Sequence, residues 1–266
     1  MSELKVSELA IYPVKSFAQI SLNSAVVDRF GLNHDRRWMV VDENGQFVTQ
    51  RQHPRMCLVQ QVLTEYGVQL SVSGMPDLVV SEPSHAMERE VTVWEDRCSA
   101  MDCGDEAANW ISCFLGITSR LVFFPEKEFR QVDLSYAQVG DKTAFSDGFP
   151  LLLISKASLD DLNERLEQPI EMARFRPNLV VDGCEAFAED GWKKLRIGAV
   201  IFRIVKPCSR CVIPCINPLT GERGKEPLRT LSRYRQRNNQ LFFGQNVIAE
   251  GTGQISTGMD VEILNI

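Results

Sequence analysis

Short runs of apolar and β-branched residues recur along most of this chain, and they limit its fold more than any other feature. In residues 68–72 every second residue is apolar, as a strand with one buried face requires. Between residues 38–41 and 47–49, the pair Asn44-Gly45 indicates a hairpin turn. The same composition predicts further strands at residues 6–12, 91–98, 120–124, 151–154, 179–181, 195–205 and 261–264.

Apolar residues recur at helical spacing in only three stretches. The first runs to residue 115, and Gly116 is placed to end it. The second is predicted to begin at a capping box formed by Ser158 and Asp161. The third is short and opens at Pro227. Their apolar positions are Ala107, Trp110, Ile111, Phe114 and Leu115, then Leu159, Leu162 and Leu166, then Leu228, Leu231 and Tyr234.

Strands therefore outnumber helices and do not alternate with them regularly, which predicts a β-rich α+β protein. The 266 residues suffice for two modest domains. We predict a division near residue 120, into domains 1–119 and 120–266, although no linker rich in proline, glycine or serine marks it.

Composition and charge exclude several classes of protein. No run of about 18 apolar residues exists, and the first ten residues lack a secretory leader, so we expect a cytoplasmic protein without a membrane partner. The net charge of −6 argues against a general nucleic-acid binder. Any anionic ligand must therefore be bound by a local basic pocket.

The eight cysteines do not suggest a disulfide framework, because nothing indicates export. Three of them, Cys208, Cys211 and Cys215, cluster in the segment 206–215 (KPCSRCVIPC), which follows a predicted strand. We expect this segment to lie in a loop that leaves the sheet. Lys206 and Arg210 would favour the thiolate form of a neighbouring cysteine.

Several metal or redox sites could use such a cysteine pair. A closed zinc site needs four ligands, and the three histidines, His34, His53 and His85, lie far upstream without paired spacing. An iron–sulfur cluster would need a fourth thiolate, for which Cys184 is the nearest in sequence. A thioredoxin-type pair normally opens a helix, and simple packing of the thiols stays an alternative. A soft thiolate with few protein partners suits a metal whose other ligands come from a cofactor.

The run Lys-Pro-Cys-Ser-Arg-Cys resembles the MOSC family, in the branch of the bacterial YcbX-type proteins and the mitochondrial amidoxime-reducing components. The resemblance covers nearly the whole chain, because further segments match in order. They are residues 12–16 (YPVKS), 35–36 (DR), 49–52 (TQRQ), 145–150 (FSDGFP), 175–178 (FRPN) and 243–246 (FGQN).

The resemblance implies an N-terminal MOSC-associated β-rich domain, a MOSC β-barrel-like domain, and a molybdenum-molybdopterin cofactor between them. Cys211 takes the family's ligand position, so it is the expected metal ligand and catalytic residue. Lysine and arginine would neutralise the cofactor's phosphate, and serine and asparagine would address its polar edges. The expected cofactor-binding residues are Lys15, Ser16, Arg36, Ser146, Asp147, Arg176, Asn178, Ser209 and Arg210.

The resemblance also implies an enzyme, a molybdenum-dependent oxidoreductase that reduces N-hydroxylated compounds such as hydroxylamines, amidoximes and hydroxylated purines. No nucleotide-binding loop occurs in a suitable context, so we expect electrons from a separate flavin reductase or ferredoxin. Two alternatives remain. One is a sulfur-carrier or cofactor-delivery module with a persulfide on Cys211, and the other is a non-enzymatic metal-binding protein that uses Cys208, Cys211 and Cys215. Cys208 is the main rival of Cys211 as ligand.

Overall fold

A computed structural model describes residues 3–84 and 86–264 of this chain, so His85 lies outside the described residues. The α-helices are α1 (Asp105–Leu115), α2 (Lys156–Asn163) and α3 (Leu228–Leu231). The strands are β1 (Lys5–Ile11), β2 (Ile20–Leu22), β3 (Ser24–Asp28), β4 (Gly31–Leu32), β5 (Trp38–Asp42), β6 (Gln60–Thr64), β7 (Gly67–Ser71), β8 (Leu78–Ser81), β9 (Glu88–Val93), β10 (Asp96–Asp102), β11 (Ser119–Phe123), β12 (Leu151–Ser155), β13 (Leu179–Asp182), β14 (Lys194–Ile197), β15 (Val200–Ser209), β16 (Gln236–Arg237), β17 (Gln240–Glu250), β18 (Gly253–Ser256) and β19 (Val261–Ile263). The predicted β-rich α+β class is confirmed.

The largest sheet combines both ends of the chain. Its strand order is β19-β14-β15-β17-β12-β13-β1-β2, and β16 pairs with β17 off this path. Strands β12 and β13 are parallel, whereas β1 pairs with β13 and β12 pairs with β17 in antiparallel register. Side chains from β1, β12, β13, β15 and β17 meet in one apolar core. Of the segments that match the MOSC family, 243–246 lies in β17 and the start of 206–211 lies in β15, while 12–16, 145–150 and 175–178 directly adjoin β1, β12 and β13.

Three smaller sheets have the orders β5-β11-β10-β9, β18-β3-β4 and β6-β7-β8. The sheet β18-β3-β4 packs its buried side chains into the first core. A second core lies between the other two sheets, where helix α1 buries Trp110, Ile111 and Phe114 against strands that include β8 and β11. Strand β11 joins the N-terminal strands, and β1 and β2 join the C-terminal ones. The division at residue 120 stays a prediction.

Helix α1 confirms the prediction made from apolar spacing. All five predicted positions are buried, and Gly116 ends the helix in the left-handed conformation with φ of 74°. The Asn44-Gly45 turn is also present, because Gly45 has φ of 75° and the amide of Val48 donates to the carbonyl of Val40. Residues 47–49, however, contribute only an isolated bridge at Phe47 and no strand.

The predicted capping box at Ser158 and Asp161 is wrong, because α2 begins three residues earlier than the prediction. Ser155 caps α2, and its hydroxyl accepts a hydrogen bond from the amide of Ser158. Ser158 is fully buried, and its own hydroxyl donates to Glu189 Oε1 at 2.8 Å. The helix ends at Asn163, so Leu166 lies beyond it, and Tyr234 likewise lies beyond α3. A local sequence pattern could not show that the Ser158 hydroxyl donates its hydrogen bond to Glu189, which lies 31 residues away.

The cysteine segment begins inside the sheet, contrary to the predicted loop. Strand β15 continues through Ser209, because β17 pairs with it along most of its length. The register shifts on either side of Lys206 and Pro207, as expected where proline removes a ladder donor. Gly198 lies in the turn between β14 and β15, so the predicted strand 195–205 is in fact part of two antiparallel strands. No helix in residues 3–84 or 86–264 is long and apolar enough to cross a membrane.

Candidate functional site

The residues expected from the sequence to bind the cofactor converge on one cleft of about 400 Å³. Its walls come from the loop after β1, the segment before β12, the segment before β13 and the end of β15. All of the expected residues line it, namely Lys15, Ser16, Arg36, Ser146, Asp147, Arg176, Asn178, Ser209, Arg210 and Cys211. The fold thus brings together residues up to 196 positions apart in the sequence (15 to 211).

One side of the cleft is built around Tyr12, which is fully buried. The guanidinium groups of Arg36 and Arg176 lie 4.2 Å and 4.1 Å from its ring centroid. Burial raises the pKa of Tyr12 to about 12, which outweighs the opposing effect of the two arginines. Burial also lowers the pKa of Arg176 to about 10, so Arg176 still carries its charge at neutral pH.

Asn178 holds Arg36 in its position on Tyr12, and the side chain of Asn178 is buried, with the residue 1% exposed. Its Oδ1 accepts from Arg36 NH1 at 2.9 Å and from the amide of Leu152 at 3.2 Å. Its Nδ2 donates to the carbonyl of Ala10 at 3.1 Å. These bonds engage both ends of the amide and join β1, β12 and the start of β13. The side chain is well placed to orient Arg36.

The opposite side of the cleft is centred on Asp147. Its carboxylate binds Lys15 Nζ at 2.6 Å and Arg51 NH2 at 2.5 Å, and Trp94 Nε1 donates to it at 3.3 Å. Burial alone would raise the pKa of Asp147, but Lys15 and Arg51 outweigh it and hold that pKa well below its usual value. Burial lowers the pKa of Lys15 to about 8, against the opposing effect of Asp147.

The three clustered cysteines have different surroundings. Cys211 is exposed at the cleft, whereas Cys208 is partly buried and its sulfur lies 3.1 Å from Arg210 NH1. Cys215 is buried, and it lines a separate cavity of about 460 Å³. Arg210 therefore contacts Cys208, whereas Cys211 lines the cleft together with Arg51. Burial would lower the pKa of Arg51, but Asp147 and then Cys211 hold it above its usual value.

The cleft has unused hydrogen-bonding capacity and an excess of positive charge. Arg51 Nε, Arg210 Nε and Gln50 Nε2 are buried without a hydrogen-bond partner among the described residues. Buried donors are normally satisfied, so these point to a missing acceptor. The lining cations are Lys15, Arg36, Arg51, Arg176, Lys206 and Arg210, and Asp147 is the only carboxylate among the described lining residues. The cleft is therefore a local basic pocket in an acidic chain, as the binding of an anionic ligand requires.

Backbone strain is concentrated at this cleft. Ser16, Arg36, Trp94 and Arg176 all line it, and their φ values are 76°, 48°, 59° and 58°. Non-glycine residues rarely adopt this left-handed conformation, and such strain accumulates at functional sites. The surrounding fold must therefore hold these residues in place.

Sequence reasoning missed several lining residues, chiefly Arg51 and Trp94. Arg51 lies inside the matching segment 49–52, so the resemblance contained a signal for it. Trp94 had no signal, because its position depends on the turn between β9 and β10. Ser146 lines the cleft, but its hydroxyl is hydrogen-bonded to that of Thr143. Gln50, Phe149 and Asn246 also line the cleft and lie in matching segments without having been assigned a role, whereas Lys206 was expected only to act on a cysteine.

Comparisons with known proteins identify the family. Residues 3–118 match the family model of the MOSC N-terminal beta barrel domain, and residues 140–262 match that of the MOSC domain. Mitochondrial amidoxime-reducing component 1 of Mus musculus is 36% identical, over 97% of this chain and 82% of the relative. The chain belongs to the MOSC family. Mitochondrial amidoxime reducing component 2 of Rattus norvegicus is 40% identical to this MOSC protein, over 86% of the chain and 72% of the relative. The human component 1 is 36% identical, over 97% of the chain and 82% of the relative.

Proposed function

We propose that this MOSC protein is a molybdenum-cofactor-dependent reductase of N-hydroxylated compounds. Its relatives over most of the chain are named as amidoxime-reducing components. The observation that carries the proposal is the cleft itself, where an exposed cysteine stands beside unpaired cations and unsatisfied buried donors. When bound there, the molybdenum cofactor supplies the two-electron chemistry that reduces an N–O bond.

In this proposal Cys211 is the metal ligand and the catalytic residue. It is the cysteine of its cluster that lines the cleft and is exposed. A soft thiolate suits a metal that takes its other sulfurs from the cofactor. Cys208 supports it indirectly, because Cys208 holds Arg210, whose NH2 also donates to the carbonyl of Phe175 at 2.7 Å.

The remaining residues bind and orient the cofactor. Arg176 and Arg36 form the cationic pair that neutralises the phosphate, because both stack on a neutral Tyr12. Arg176 has no carboxylate partner among the described residues, whereas Arg36 is held by the buried carboxylate of Asp35. Lys15 and Asp147 form the opposite wall, and Ser16, Ser146, Ser209 and Arg210 also line the cleft. Asn178 acts as a positioning residue through Arg36.

The three-cysteine metal site loses its support, because Cys215 lines another cavity and the described residues contain no group of three or more potential metal ligands. Electrons come from a separate donor protein, a flavin reductase or a ferredoxin. We place the chain in the cytoplasm, which its eight free cysteines support. The division at residue 120, with the cofactor between the two domains, remains part of the proposal.

Replacing each clustered cysteine by serine tests the function and the ligand together. Cys211→Ser should abolish reduction even if pterin stays bound, because a hydroxyl is a hard and hardly ionised ligand. Cys208→Ser should retain measurable activity, and Cys215→Ser should lose only about 1 kcal/mol of stability. Molybdenum content, pterin content and single-turnover reduction of benzamidoxime are measured for each protein.

In the same assay, NADPH alone should not support turnover until a ferredoxin and its reductase are added. Full activity of Cys211→Ser, with loss in Cys208→Ser, would falsify the ligand assignment. A parent protein that carries a persulfide on Cys211, and neither pterin nor molybdenum, would show that the sulfur-carrier alternative is right.

A further inference from the structure

Trp94 is a large aromatic residue at the cleft that the proposed cofactor contacts do not use. It is the first residue of the two-residue turn between β9 and β10, where Val93 pairs with Asp96. Its side chain lines the cleft, and the residue is 48% exposed. Tryptophan is highly buried on average, and its large apolar ring with one polar N–H makes it frequent at binding interfaces.

The backbone of Trp94 is strained, with φ of 59°. The turn between β14 and β15 has the same length and places Gly198 at the equivalent position, with φ of 57°. Glycine is the residue that such hairpin turns favour there, and a bulky side chain is an outlier. The protein therefore tolerates an unfavourable residue in a turn where glycine would fit, which points to a use for the indole ring.

Three contacts hold the indole in place. Its ring lies 4.8 Å from the guanidinium carbon of Arg51 and 5.1 Å from the ring centroid of Phe47. Its Nε1 donates to Asp147 Oδ1 at 3.3 Å. Arg51 and Cys211 both line this cleft, so Trp94 shares the cleft with the proposed ligand. The pair Arg36 and Arg176 lies on the Tyr12 side.

We propose that Trp94 is a stacking surface for the planar, conjugated part of the substrate. This inference rests on the proposed function and makes planar molecules, the aryl amidoximes and N-hydroxylated purines, the substrates that the protein binds best. Such molecules present a flat face that an exposed indole binds, whereas hydroxylamine has no conjugated plane. A substrate held on Trp94 would lie beside Arg51 and close to Cys211.

The test compares a planar substrate with a small one. Trp94→Asn removes the ring but keeps a residue that tolerates left-handed φ, and Trp94→Phe keeps an aromatic face. Asn239→Gly is the matched control, because Asn239 lies in the β16–β17 turn with φ of 60° and does not line the cleft. Steady-state kinetics are measured with N6-hydroxyadenine, benzamidoxime and hydroxylamine, and adenine binding is measured by calorimetry without turnover.

Trp94→Asn should raise KM for both planar substrates about tenfold to a hundredfold, the range that base–aromatic stacking supports. Its kinetics with hydroxylamine should stay within about twofold of the parent, and adenine binding should weaken in parallel with KM. Trp94→Phe and Asn239→Gly should resemble the parent. All variants should melt within about 4 °C of the parent, because the changes are at exposed turns.

Equal loss with hydroxylamine and with the planar substrates would overturn the proposal, since Trp94 would then act only through Arg51. Loss of pterin or molybdenum from Trp94→Asn would overturn it too, because the ring would be a cofactor contact. If the parent reduces no N-hydroxylated compound, the proposed function fails. Adenine binding then decides separately whether Trp94 is a stacking surface.

Discussion

Replacing Asn178 by alanine should destabilise the whole fold as well as the site. The change removes the acceptor for Arg36 and for the amide of Leu152, and the donor to the carbonyl of Ala10. Each buried group left unsatisfied costs about 1–3 kcal/mol. Arg36 NH1 keeps Asp35 as an acceptor, so the amide of Leu152 and the carbonyl of Ala10 bear most of the loss, and we expect a total of roughly 2–4 kcal/mol. For a chain of this size that lowers the melting temperature by roughly 4–8 °C.

Thermal unfolding of cofactor-free protein measures this loss, and Arg176→Ala is the matched control. The Arg176 side chain makes a single hydrogen bond, from NH1 to the carbonyl of Phe17 at 2.8 Å, and its charge is buried at a cost, as its lowered pKa shows. Alanine has a Cβ as arginine does, so the backbone strain at residue 176 is unchanged. We expect Arg176→Ala to change stability by less than about 1 kcal/mol.

Arg176→Ala and Asn178→Ala should also differ in how tightly they retain the cofactor. Arg176→Ala should weaken pterin binding about tenfold to a hundredfold, the value of a charge-assisted contact to phosphate. Asn178→Ala should lose cofactor only to the extent that Arg36 is released. An Asn178→Ala protein that melts with the parent but no longer retains pterin would refute the positioning role and show a direct contact.

Two further predictions concern the fold. Gly244→Ala should lower the free energy of unfolding by about 2 kcal/mol more than Gly74→Ala does, as measured by chemical denaturation. A Cβ at Gly244 would lie 2.8 Å from the backbone oxygen of Leu153, whereas Gly74 has a similar φ and nothing within 4 Å. Equal losses would mean that the steric argument is wrong. For Asp102, burial raises the pKa, but hydrogen bonds from Arg120 and Arg89 outweigh it and lower the pKa to about 2. A depressed pKa stabilises the folded state above pH of about 4, and this contribution is lost as pH falls through about 2. Asp102→Asn should thus be about 1–2 kcal/mol less stable than the parent at pH 6, and unfolding at a series of pH values should show the gap closing toward pH 2; a constant gap would contradict this.

The sequence by itself determined the features that depend on neighbouring residues. Helix α1 follows from apolar spacing over three turns and a glycine stop, and both signals act within the same dozen residues. The turn at Gly45 follows from local φ preference. The residues of the cleft were found in advance because their short motifs occur in the family's order, although no motif shows which other motif it will meet.

Tertiary structure decided what depends on strands that are far apart in the chain. The extension of β15 through Ser209 exists only because β17 pairs with it, and the position of β17 was not predicted. Pairing of β9 with β10 carries Trp94 to the cleft, and the fold also places Arg51 near Cys211 and Arg210 against Cys208. Such contacts arise when distant backbone groups must find partners and distant apolar faces must be buried together, and the local sequence carries no record of that choice.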